Sequence, residues 1–348
     1  RGLRRRCRVS TPARQPARTA ALVALGLAAA LAVCAAAVVW GSADLGTARV
    51  WAALTGMGDA TATTIVWRLR MPRVALAATV GGGLAVVGVA MQALVRNSLA
   101  DPYLLGASSG ASAGAALFFL GFLPPILTRG LTMPLAAIAG AWIAVASVVA
   151  VSRRDGALAP TRLLLTGVAV SALMGSVTAF VTFASPEPDR LRAVLFWLLG
   201  SFAGATWGSV WMPLGASSAA LVVLWALARP LDLLTTGEEP AAALGVPVER
   251  LKTALVLITA IATGAAVAAA GVVGFVGLVV PHAVRMVAGA SHRRLVPLAF
   301  AAGAVFLVLA DLAARTVLDG QEVPVGVLTA LCGVPFFLAL LRRSAAVE

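Results

Sequence analysis

The chain has 348 residues, 60% of them hydrophobic and only 12% charged, with a mean hydropathy of +0.96. Apolar stretches of about 20 residues recur along it, each long enough to cross the hydrocarbon core of a bilayer, whereas the short alternating segments of a membrane β-barrel are absent. The formal charge of +13 would fit a nucleic-acid partner in a soluble protein. Here the arginines cluster between apolar stretches, the positive-inside pattern of an all-α, polytopic membrane protein, so lipid is the expected surrounding and nucleic acid is excluded.

Residues 1–18 read as a basic cytosolic segment and residues 19–348 as one transmembrane domain. The basic start followed by Thr19–Trp40 resembles a signal peptide, but the apolar run exceeds the usual core of about 7–15 residues and is expected to remain as the first span. Ten spans are expected, at about 19–40, 73–94, 102–122, 132–152, 162–184, 206–228, 251–271, 276–290, 295–317 and 324–341. Assigning the basic loops to the inside puts both termini in the cytosol of a bacterial inner membrane. Ala43–Arg73, with Trp51 and Trp67, and the amphipathic Asp189–Ser201 read as partial helices at the outer surface. Spans 2–5 and 7–10 form two groups of four, inserted with opposite orientation about span 6.

Within Met91–Gly114, Asp101 is placed to cap a helix with Pro102 at its first position. Gly106, Ser108, Ser109, Gly110, Ser112 and Gly114 then give a face of small residues, suited either to close helix packing or to the wall of a wide path. Cys7, Cys34 and Cys332 have no disulfide or metal spacing and read as small apolar residues. Asp311 and Arg315 stand one helical turn apart and can pair. His282, beside Pro281, reads as a structural residue without chemistry. No series of acids or histidines crosses the membrane, which argues against a proton- or sodium-coupled secondary transporter and against a channel with a charged ring.

The polar exception is Pro230–Lys252, which carries Asp232, Glu238, Glu239 and Glu249. Thr236 and Glu239 have the spacing of a capping box. Gly245 is placed to end that helix in a left-handed conformation, and Pro247 to start another. Two short helices at about 232–250 result, too short to stand alone in water. They form a handle for a soluble partner.

The motifs RLRMPR (68–73), RNSLADPYLLGASSGA (96–111), RLLLTGVAVS (162–171), LGVP (244–247), GFVGLVVPHAVR (274–285), ADLAAR (310–315) and EVPVGVLTALCGVPFF (322–337) resemble, in that order, the FecCD family of permeases. These are membrane subunits of ATP-driven importers for iron–siderophores, haem and vitamin B12. The resemblance implies the type II ABC importer permease architecture: a ten-span subunit that homodimerises, with the path between the two copies. It implies that two cytosolic ATPase subunits dock on Glu238, Glu239, Ala242, Leu244 and Gly245, and that an extracytoplasmic binding protein docks on Arg70, Arg73 and Arg315. By the same resemblance Asn97, Leu99, Pro160 and Thr161 form the cytosolic gate, although Ser98 replaces a usual proline and Pro160 stands where the family has a small hydroxyl residue. The chain has no G-x-x-x-x-G-K-[ST] phosphate loop, so it is expected to be no enzyme and to bind neither cofactor nor metal, with ATP and Mg used by the partner subunits. Iron(III)–siderophore is the expected cargo, with haem and cobalamin as alternatives. A scaffold that binds a soluble partner without transport fits less well, because docking surfaces are expected on both sides.

Overall fold

The computed structural model describes residues 15–41, 45–128, 131–154, 156–318 and 321–344, so most of the basic segment 1–18 lies outside the described residues. The helices, in chain order, are α1 (Gln15–Val39), α2 (Thr47–Leu54), α3 (Ala60–Thr64), α4 (Met71–Val95), α5 (Ala107–Phe119), α6 (Pro125–Thr128), α7 (Met133–Ser152), α8 (Pro160–Phe183) and α9 (Pro188–Leu198). Then come α10 (Trp207–Ala226), α11 (Ala228–Thr235), α12 (Glu238–Ala243), α13 (Val248–Ala270), α14 (Val276–Ala288), α15 (His292–Ala314) and α16 (Val325–Ser344). A π-helical turn, Ile65–Arg70, joins α3 to α4, and a two-stranded antiparallel hairpin pairs β1 (Arg153–Arg154) with β2 (Ala157–Leu158).

Seven helical segments among the described residues are long and apolar enough to cross a membrane: Thr19–Val39, Ala60–Val95, Met133–Ser152, Pro160–Phe183, Trp207–Ala226, Val248–Ala270 and His292–Ala314. The expected spans at 102–122, 276–290 and 324–341 correspond to α5, α14 and α16. Of these α5 and α14 have only 13 residues each, or about 20 Å of helix. The shortening has a local cause in each. Asp101 caps a 3-10 turn, Pro102–Leu105, its carboxylate accepting the Tyr103 N–H at 2.8 Å, and Gly106 then turns left-handed (φ 76°) before α5 begins. On the other side α13 ends at Gly271 (φ 69°), and the chain stays non-helical until α14. The helix predicted from Asp101 therefore starts five residues late, after a tighter turn.

The two groups of four share this plan. In α4, α5, α7, α8 and again in α13 to α16, the second helix is the short one and follows a residue with positive φ, Gly106 in the first group and Phe275 in the second. At the centre stands α4, buried along nearly its whole length, packed against α10, α13, α14 and α15. Its glycines permit this: a Cβ on Gly88 would overlap the carbonyl oxygen of Gly277 in α14. The small residues of α5 serve the same end. Gly110 meets Gly140 of α7 so closely that a Cβ on either would overlap the other's carbonyl, and Ser108 and Ser112 are buried. For that face, close packing is the outcome.

Ala43–Arg73 holds the expected partial helices. Val50 and Ala53 of α2 bury against Ala62 and Val66, and Asp59 caps α3 by accepting the Ala62 N–H at 2.6 Å. Asp189–Ser201 contains α9.

Candidate functional site

One end of the bundle carries α11 and α12. Neither is held by the predicted capping box. The Thr236 hydroxyl turns back to donate to the Leu233 carbonyl at 2.8 Å, so Thr236 closes α11, and Gly237 (φ 134°) opens α12 with no side-chain cap. The C-terminal signal reads correctly. Gly245 is left-handed (φ 85°), and the Val246 N–H reaches back to the Ala241 carbonyl at 3.0 Å, a Schellman-type close. Pro247 leads directly into the spanning helix α13, so the short pair is α11 with α12 and both precede Gly245.

This handle is fixed to the bundle from beneath and open above. Leu231, Leu234 and Ala241 are buried in the core. Asp232 accepts two hydrogen bonds from His292 at the start of α15, from the backbone N–H at 2.9 Å and from Nδ1 at 2.6 Å. Burial pushes the Asp232 carboxyl up, but these bonds outweigh it and leave its pKa below the usual carboxylate range. Glu239, Ala242, Leu244 and Gly245 are exposed, Leu244 to 67%. Glu238 is half-buried and pairs with Lys252 at 2.8 Å.

At the same end Asn97, Pro160 and Thr161 come together, with Arg96, Ser98 and Leu164, around a cleft of about 520 Å³. Leu99 does not line it; its N–H is spent on the Asn97 side chain at 2.9 Å. Behind the cleft a second cavity of about 430 Å³ is lined by Asp101, Tyr103, Leu104, Val168, Ser171, Gly274, Phe275 and Leu278. Burial pushes the Asp101 carboxyl up to about 6, against the pull of the Tyr103 N–H. Tyr103, the single tyrosine in the chain, plugs the break before α14. Its hydroxyl donates to the Val273 carbonyl at 2.9 Å and accepts the Val273 N–H at 3.3 Å, so the interrupted backbone keeps its partners, as a membrane interior requires. Nothing in the sequence pattern assigned Tyr103 this part. Arg285 donates to Gln92 at 3.0 Å.

The opposite end of α15, about 34 Å away along 23 residues of helix, holds the arginines. Arg70, Arg73 and Arg315 line one cavity of about 310 Å³ with Ile65, Leu69, Ala203 and Glu322; Arg68 is exposed and lies outside it. Arg70 donates to the Val38 and Val39 carbonyls at 2.9 and 2.7 Å, closing the end of α1. Arg315 donates to the Ala37 carbonyl at 2.9 Å. The expected Asp311–Arg315 pair is a loose one, at 3.6 Å, because buried Asp311 instead takes Arg73, whose Nε lies 3.0 and 3.1 Å from its two oxygens and whose Nη2 lies 2.9 Å from one of them. Glu322 holds the outer nitrogen of Arg73 at 2.8 Å. The partners Glu322 and Lys252 were both missed from sequence. Only Lys252, three residues after Glu249 on one helix face, carried a signal there.

The chain is 44% identical over 282 residues to the cobalamin import system permease protein BtuC of Halobacterium salinarum, covering 81% of this chain and 74% of that one. It is 45% identical over 284 residues to the hemin transport system permease protein HmuU of Yersinia pestis, covering 80% and 83%. A solved inward-facing structure of a metal-chelate type ABC transporter superposes with a TM-score of 0.81 at 28% identity, over 94% of this chain and 99% of the other. The FecCD transport family profile matches residues 27–343, and the chain belongs to that family.

Proposed function

We propose that the chain is the membrane-embedded permease of an ATP-driven importer that carries a bulky metal chelate across the bacterial inner membrane by alternating access. One observation carries the reading: an exposed, rigidly seated handle and the cleft of Asn97, Pro160 and Thr161 share one end of a membrane-spanning bundle. A soluble ATPase gripping Glu239, Ala242, Leu244 and Gly245 would act beside the gate. The basic loops support a cytosolic placement of this end and of both termini, within one transmembrane domain at 19–348. ATP and Mg belong to two partner ATPase subunits.

A second copy of the chain completes the path. Val168 and Ser171 of α8 wall the second cavity, yet of α8 only Leu163, Gly167 and Val181 are buried. Polar cavity groups on a lipid-facing surface are costly, and a homodimer through this side covers them. At the far end the arginine cleft receives acidic side chains of an extracytoplasmic binding protein, which compete with Glu322 for Arg73.

Among chelates, iron(III)–siderophore is the reading from family breadth, with cobalamin and haem, the cargoes named for two relatives, as the alternatives. The test is reconstitution with the ATPase and binding protein and ATP-dependent uptake of ferric siderophore, haem and cobalamin in parallel. Uptake of one of them is expected. A complex that binds the ATPase yet moves none would refute the reading.

A further inference from the structure

Lys252 lies in the second turn of α13 and is only 2% exposed. All three N–H donors of its ammonium group are used. One goes to Glu238 Oε2 of α12 at 2.8 Å, one to the Leu158 carbonyl at 2.6 Å, and one to Glu249 Oε1. Glu249 closes the ring by accepting the Leu158 N–H with its other oxygen at 2.8 Å. The three groups belong to three separate parts of the molecule. Glu238 begins the second helix of the handle, Glu249 begins α13, and Leu158 ends the hairpin two residues before Pro160 and three before Thr161 of the cleft. A further tie, Arg153 Nη2 to Thr253 Oγ1 at 3.2 Å, binds the other hairpin strand to α13.

We propose that Lys252 is the positioning residue that makes the handle, the base of α13 and the β1–β2 hairpin one rigid body, so that displacement of α12 by a partner moves Pro160 and Thr161 with it. This rests on the reading of the handle as a docking surface for an ATPase. Stability alone is a poor account of the arrangement. Taking an ammonium group out of water offsets most of its attraction to the carboxylates, and an apolar side chain of similar length fills such a site as well or better. A three-way junction supplies what an apolar residue does not, a fixed register between elements otherwise joined by loops. The carboxylates it holds are partly exposed, Glu238 at 31% and Glu249 at 42%. Lys252→Met therefore removes the one buried charge and leaves two acids that water can solvate, so the variant should fold.

The experiment uses the assembled transporter in nanodiscs, with Thr161→Cys as reporter and the rate of maleimide labelling read with and without ATP plus vanadate. With Lys252 present the rate should change about tenfold between the two conditions, and with Lys252→Met less than about twofold, a loss of coupling of the size seen along such contact networks. ATPase binding should persist in both. Lys252→Arg should restore the response, because guanidinium reaches the same acceptors, whereas a space-filling role would be met equally by Met. Full nucleotide response in Lys252→Met overturns the proposal. If Lys252→Met fails to assemble, Glu238→Ala decides in its place: it removes both acceptor oxygens and so cuts only the leg to the handle, and an unchanged response there overturns the proposal equally. Absence of ATPase binding or of any nucleotide response in the protein with Lys252 intact would instead count against the transport reading itself.

Discussion

At the scale of single residues, burial decides which charges are free to act. Asp101 is the clearest titrating group near the cleft. Its ionised form carries a burial cost that sets in from about pH 4, where an unfolded carboxyl ionises, grows until about 6, and stays constant above. Asp101→Asn keeps the oxygen that caps Tyr103 and removes the charge. It should therefore melt with wild type at pH 4 and above it at pH 8; identical curves at pH 8 would show that the charge is solvated. The arginine cleft needs a different test from a simple charge reversal. Arg73→Glu would leave Asp311, 1% exposed, buried without its partner, at a cost of about 3–5 kcal/mol, and would report on folding. Glu322→Ala removes the acceptor and frees the outer nitrogen of Arg73. Binding-protein affinity should rise about two- to fivefold, the scale of one exposed pair, and fall with added salt. Unchanged affinity would remove Arg73 from the docking surface.

At the scale of elements, the handle owes its form to a few backbone positions. Gly245 at φ 85° has open space around the position of a Cβ, so a side chain there meets no clash, only backbone strain of about 1–2 kcal/mol. Gly245→Val should distort the exposed turn while the bundle stays intact. Uptake should fall at least about tenfold with normal insertion and unchanged melting of the core, as one kcal/mol-scale change at a coupling surface allows. Normal uptake would mean the turn is not gripped. The breaks before α5 and α14 obey the same local logic. A left-handed residue follows a cap or a glycine, and the freed backbone is satisfied by Asp101 in one case and by Tyr103 in the other.

For the whole molecule, the seated handle and the cleft lie at one end and the arginines about 34 Å away at the other, the two faces that the proposed transport cycle would use. In the proposed homodimer, cysteines replacing Asn97 or Thr161 should crosslink between copies in one nucleotide state and not in the other. Leu99→Cys should crosslink less, because Leu99 lies off the cleft lining. Equal crosslinking in every state at Asn97 and Thr161 would show that the cleft does not gate.

The sequence by itself determined the class of the protein, its long spans, the handle and the left-handed close at Gly245. Each depends on local composition or on contacts a few residues apart: apolar runs, arginine placement, a glycine after a helix. Asn97 with Thr161 and Arg70 with Arg315 were legible only through family motifs, since nothing local links positions so far apart in the chain. Tertiary structure alone decided the partners. Asp311 looked committed to Arg315 one turn away, but Arg73, arriving from another helix, offers a planar fork to the same buried carboxylate and takes it. Thr236 looked like a cap for α12, yet α11 ends on it first. Lys252 joins Glu238 and Leu158 across 14 and 94 positions of sequence. Such pairings follow from packing, because a buried charge takes whichever partner the folded chain brings within reach.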